Sequence, residues 1–182
     1  MSEYLSYSPR IQQRNLRTAF IVGVIAALLR VTWVLFASRQ PIGLSDPYIY
    51  LQFAASIAAG DGYNSLLGHP TAYFPPGYPF FLGGVRWVLQ SVGLVDHLVL
   101  VVGLIQALLG GVAAGALVVT GDQLFANTRR SDSAEEPRHG WSVGVIAGLL
   151  FACWPNLIMH APLILGESLF LALFSVLLAA LV

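Results

Sequence analysis

The sequence predicts an all-α fold, a polytopic membrane helix bundle with amphipathic interfacial helices in its first outer loop. Three observations carry that expectation. Hydrophobic residues make up 57% of the chain and charged ones only 10%, mean hydropathy is +0.73, and several apolar runs reach the ~20 residues that a spanning helix needs. An ordinary soluble domain is about half apolar and a quarter charged. The formal net charge is zero, which argues against nucleic acid as a partner. All nine basic residues are arginine, and most of them lie at or beyond the ends of the apolar runs, as bilayer insertion requires.

Taken in order, residues 1–17 are polar and carry Arg10, Arg14 and Arg17, after which Thr18 to Ala37 is apolar. That run is too long for the hydrophobic region of a signal peptide, and Ala37-Ser38-Arg39 is a poor cleavage site, so 18–37 reads as a first, uncleaved spanning helix. The arginines ahead of it place the N-terminus in the cytoplasm of a multi-pass plasma-membrane protein, and residues 38–97 then face outward. Within that outer loop, Pro47 to Ala59 has an apolar stripe at Ile49, Phe53 and Ile57, with Pro at its start and Gly60 just past its end, the pattern of a short amphipathic helix. Gly77 to Leu94 is apolar but interrupted by Pro79, Gly83-Gly84, Arg86 and Gln90, which suits an interfacial helix that does not cross.

Leu98 to Thr120 is the second spanning run, with Gly110, Gly111 and Gly115 permitting close helix packing. The loop 121–140 carries Arg129, Arg130 and Arg138 and stays cytoplasmic only if 77–94 does not span; its acids Asp132, Glu135 and Glu136 contribute little to orientation. Trp141 to His160 is the third run. Cys153 lies inside it, the sole cysteine, unable to form an internal disulfide and expected to be an inert buried thiol. Residues 168–182 begin a further helix that stops short of spanning length, so the chain is expected to be the N-terminal part of something longer.

A few residues stand out from this apolar background. Asp46 either caps the helix that follows it or acts as a general base or metal ligand at the mouth of the bundle. The stretch DGYNSLLGHPTAYFPPGYPFF from Asp61 is either an interfacial aromatic belt or a rigid lining of Tyr63, Tyr73 and Tyr78 for a polar ring attached to a lipid. Pro75 and Pro76 lower the entropy lost in ordering it. His69 is a proton donor or acceptor near neutral pH, or incidental. Arg30 lies about 18 Å along the first helix from Thr18, at about 1.5 Å per residue. It either snorkels to the interface or pairs with an acid or a lipid phosphate. Glu167 is a first-turn acid favoured by the helix dipole, or a second carboxylate on the face that holds Asp46.

Arg30, SDPYIY at 45–50, GDGY at 60–63, PTAYFPPGYPFFL at 70–82 and PLILGESLF at 162–170 together resemble the bacterial C-type (GT-C) glycosyltransferases, in particular their protein-mannosyltransferase-like and aminoarabinose-transferase-like branch. The resemblance covers almost the whole chain after residue 18. It implies an enzyme that moves a sugar from a polyprenyl-phosphate donor to a protein, lipid or polysaccharide acceptor on the outer membrane face. It implies Asp46 as catalytic base or metal ligand and Glu167 as a partner for a divalent metal ion; Arg30, Tyr50, Tyr63, His69, Tyr73 and Glu167 are the candidate substrate-binding residues. The chain departs from the protein mannosyltransferases in having Pro47, not Glu, after Asp46, which leaves metal dependence open. The alternatives are a fragment of a transporter or flippase, with Arg30 and Glu167 lining a polar path, and a non-catalytic membrane protein.

Overall fold

The computed structural model describes residues 9–42, 45–64, 68–71, 74–126 and 142–182, with side chains from Asn15 onward. The described residues form α1 (Pro9–Ala37), α2 (Asp46–Ala59), α3 (Gly77–Ser91), α4 (Leu98–Ala126), α5 (Val143–Cys153), α6 (Pro155–Met159) and α7 (Glu167–Leu181), with a 3₁₀ turn at Val95–His97 leading into α4. No strand occurs among them; a lone bridge between Asn64 and Pro70 pins the loop before α3. Two segments, Asn15–Ala37 and Val95–Phe125, are long and apolar enough to cross a membrane. Their outward faces expose Phe20, Leu28, Phe36, Leu108 and Val112, large apolar side chains of the kind that a bilayer would cover.

Small residues let α1 and α4 approach closely. A Cβ at Gly111 would stand 2.7 Å from the Gly23 carbonyl oxygen, one at Gly115 3.1 Å from that of Ala19, and one at Gly103 2.9 Å from Val34. These pairings run in opposite senses along the two helices, so α1 and α4 are antiparallel. The connection 38–97 therefore leaves and returns at one end of the pair. Its two helices pack on each other, with Gly83 of α3 against Ile57 of α2. α3 has 15 residues, about 22 Å of helix, which is short of spanning length. The segment 77–94 thus contains one short helix, Gly77–Ser91.

α5 lies antiparallel to α4 and parallel to α1, with Gly144 beside Val118 and with Gly148 against both Ala114 and Val22. Ala19, Val22, Ala26, Ala114, Val118 and Ala152 form the core between these three helices. A second core, with Ala54, Tyr78, Leu82, Leu98, Val102 and Ile164, joins α2 and α3 to the start of α4 and to the segment before α7. Arg129, Arg130 and Arg138 of the loop 121–140 fall outside the described residues.

Two expectations are corrected. The third apolar run is not one helix over 141–160: α5 ends at Cys153, Trp154 is extended (φ −66°, ψ 116°), and α6 starts afresh at Pro155. Proline lacks the N–H that would continue the ladder, and its ring pushes the preceding residue out of helical conformation. Cys153 is exposed, not buried. α5 turns the i, i+4, i+8 stripe Gly144, Gly148 and Ala152 inward, and the next residue falls off that stripe.

The adjacent glycines of α3 should respond in opposite directions to the same change. A Cβ at Gly83 would meet Ile57 Cγ2 at 2.7 Å and Cβ at 2.9 Å, whereas one at Gly84 meets nothing within 4 Å. Gly84→Ala should stabilise by roughly 0.5–1 kcal/mol through helix propensity, and Gly83→Ala should destabilise by about 1–3 kcal/mol through overpacking. Equilibrium unfolding in mixed detergent micelles measures both; equal signs would show that the α2–α3 contact is misplaced.

Candidate functional site

The interruption of α5 creates a local problem in hydrogen bonding. The Phe151 carbonyl would accept from residue 155, which is proline, and the Ala152 carbonyl loses its helical partner at the extended Trp154. Arg30 supplies the missing donors. Its Nη1 donates to Ala152 O at 3.1 Å and to Ala26 O in its own helix at 3.0 Å, and its Nη2 donates to Phe151 O at 3.0 Å. The guanidinium carbon lies 5.3 Å from the centre of the Phe151 ring, and the residue is only 2% exposed. Among the described residues Arg30 forms no ion pair: its charge sits at the negative end of the α5 dipole, held by main-chain carbonyls. Room for it comes from Gly110, where a Cβ would stand 2.5 Å from Arg30 Cδ.

Beside Arg30 opens a cavity of about 170 Å³, lined also by Asn156, His160, Glu167 and Ser168. The segment 160–166, of which His160 lines the cavity, is fastened by Gln106, a fully buried polar residue of α4. Gln106 Nε2 donates to the carbonyls of Ala161 (2.9 Å) and Leu163 (2.7 Å), and its Oε1 accepts from the Tyr78 hydroxyl at 2.7 Å. The Leu165 N–H donates to the Leu163 carbonyl at 2.9 Å. Gln106 did not figure among the residues singled out from sequence. A lone amide within an apolar run was the available signal, because such a group survives only when fully bonded.

Tyr78 opens a chain of aromatic contacts. Tyr50 packs edge-on against it at 5.4 Å and against Phe74 at 5.5 Å, and Phe53 stacks on Tyr63 at 4.6 Å. The Tyr63 hydroxyl donates to Phe74 O at 2.9 Å, so its polar end is spent within the loop. Burial pushes the phenols of Tyr50, Tyr63 and Tyr78 above their ordinary range. The carboxylates of Asp46 and Glu167 add to this at Tyr50.

Those two carboxylates, distant in sequence, therefore act on one tyrosine, and both are exposed. Asp46 is not the cap of α2. Ser45 holds that position with extended backbone and no side-chain bond, and Asp46 is the first helical residue, where the helix dipole already favours its charge. Glu167 occupies the first turn of α7. Among the described residues no group of three or more His, Cys, Asp or Glu gathers. Of the two acids only Glu167 lines the cavity; a hard divalent cation is commonly held by one or two carboxylates together with waters and substrate phosphates. His69 is exposed and does not line the cavity; Tyr73 lies outside the described residues.

No family model, curated protein or solved structure matches the chain.

Two measurements probe this geometry. Arg30→Met strands the Phe151 and Ala152 carbonyls and should destabilise by on the order of 3 kcal/mol. Pro155→Ala restores a helical donor for Phe151, so the double variant should recover at least about 0.5 kcal/mol relative to the sum of the singles. Strict additivity would show that Arg30 does not compensate for the proline.

The tyrosines supply a pH test. Their folded values lie above the unfolded one, so their contribution to stability is complete below pH ~10 and is lost as pH rises further, by up to ~1.4 kcal/mol per unit for a fully buried phenol. Tyr78→Phe should flatten that fall, and an unchanged slope would place the phenol in water.

Proposed function

We propose that the chain belongs to a membrane glycosyltransferase that passes a sugar from a polyprenyl-phosphate donor to an acceptor at the outer face of the plasma membrane. The observation that carries this reading is the cavity that Glu167 and Arg30 line together, with Asp46 and Glu167 both adding to the rise of the Tyr50 phenol. The resemblance of SDPYIY and PLILGESLF to the C-type glycosyltransferases supports it, since those two motifs contain the two acids.

In this reading the acceptor hydroxyl attacks the anomeric carbon as the bond from that carbon to the phosphate oxygen breaks. The electron pair leaves with the polyprenyl phosphate, and the acceptor proton passes to Asp46. An exposed carboxylate in the first turn of a fixed helix is free to take that proton, while the neighbouring phenols stay neutral and keep the wall of the site uncharged. Asp46 and Glu167 would hold a divalent cation, which when bound would neutralise charge on the departing phosphate. Three of the five N–H groups of Arg30 are occupied by carbonyls, so its part is chiefly to shape the cavity.

A transporter or flippase is the second reading, and the break between α5 and α6 favours it, because interrupted helices flank the substrate sites of many transporters. The two readings separate in proteoliposomes carrying the full-length protein and a panel of polyprenyl-phosphate sugars. The enzyme reading expects acceptor glycosylation that Asp46→Asn lowers by at least roughly a hundredfold with insertion unchanged. Undiminished transfer in Asp46→Asn removes the base, and lipid-linked sugar crossing the bilayer without transfer favours the flippase.

A further inference from the structure

A second cavity, of about 340 Å³, lies apart from the carboxylates, where the end of α1, the side of α3 and the start of α4 meet. Gln40, Leu51, Arg86, Asp96 and Val99 line it. It is the more polar of the two, and it holds one cation and one anion. Neither Arg86 nor Asp96 forms an ion pair among the described residues, and Arg86 Nε is buried without a hydrogen-bond acceptor. A guanidinium N–H withdrawn from water with no acceptor is unfavourable, which points to a ligand that supplies one.

The surroundings indicate the kind of ligand. α3 exposes Trp87 (63%) and Val88, and the turn after it exposes Val92 and Leu94. An apolar helix face bearing tryptophan beside polar groups is the pattern of an element lying at the headgroup level of a bilayer. Gln40 follows the end of α1 and Asp96 precedes α4, so the cavity sits where both candidate spanning helices leave the apolar layer.

We propose that this cavity binds the headgroup of a phospholipid carrying both a phosphate and a primary ammonium, that is, phosphatidylethanolamine. The phosphate accepts from Arg86, the ammonium donates to Asp96, and the acyl chains run along the exposed face of α3. An anionic lipid without an ammonium would leave Asp96 facing like charge, and a quaternary ammonium has no N–H to donate. The inference is independent of the sugar-transfer reading, since neither residue belongs to that site.

The test uses the full-length protein reconstituted in bilayers of equimolar phosphatidylethanolamine, phosphatidylcholine and phosphatidylglycerol, released in mild detergent and weighed with its retained lipid by native mass spectrometry. Phosphatidylethanolamine should be enriched about tenfold over each of the others, and Arg86→Gln or Asp96→Asn should each remove that enrichment, the effect of one charge-assisted hydrogen bond. Asp96 is exposed, so Asp96→Asn decides the matter even where Arg86→Gln fails to fold. Retained lipid that mirrors the bilayer composition overturns the proposal, as does enrichment unchanged by Asp96→Asn. Displacement of the lipid by soluble glycerophosphoethanolamine at equal concentration would assign the site to a free metabolite and overturn it equally.

Discussion

A helix interrupted inside an apolar layer and an arginine buried in one are each unfavourable alone, and in this protein each resolves the other. The Trp154-Pro155 break leaves carbonyls at the end of α5 with no helical donor, and the Arg30 guanidinium brings a charge that needs acceptors. Their union fixes the rest. It sets α5 alongside α1 at one axial position, requires glycine at position 110, and determines where the chain turns before α7 begins at Glu167. Because hydrogen bonds to a charged group are stronger and more directional than apolar contacts, this register is better specified than leucine and valine packing alone would make it.

Gln106 performs the complementary task at the same end of the bundle. Apolar side chains tell α3, α4 and the segment 160–166 only that they should be buried, whereas one amide with three partners tells them how. It holds the two carbonyls in place and, through Tyr78, ties them to the aromatic group of Tyr50, Phe53, Tyr63 and Phe74. Loss of any one bond would leave a buried polar atom unpaired, so the network acts as a unit. The aromatic loop is thereby a wall with its hydroxyls turned to structural use, and Tyr63 bonded to Phe74 O illustrates this.

The sequence made the helices legible because apolar run length and glycine placement report directly on them. Thr18–Ala37, the α2 stripe ending at Gly60 and a short helix within 77–94 all have counterparts, and Gly60 adopts the left-handed conformation (φ 88°) that a helix-ending glycine allows. The break at Pro155 was visible as a residue and was outweighed by continuous hydropathy, a measure blind to the missing N–H. The partners of Arg30 were not legible. Pairing rules name side chains, and here the acceptors are main-chain carbonyls 121 and 122 positions away. Gln106 was missed for a related reason, since its role exists only once three distant segments meet.

The distribution of charge then follows a consistent logic. The cation inside the apolar layer has its donors taken by backbone and Phe151 at its face, a state suited to holding shape and poorly suited to moving protons. The acids Asp46 and Glu167 stand exposed at the mouth, next to phenols that burial keeps neutral. The Arg30 charge is buried and bonded to the backbone, while the Asp46 and Glu167 charges are exposed. This separation marks the end of the bundle that carries α2, α3 and the start of α7 as the one where the exposed carboxylates lie.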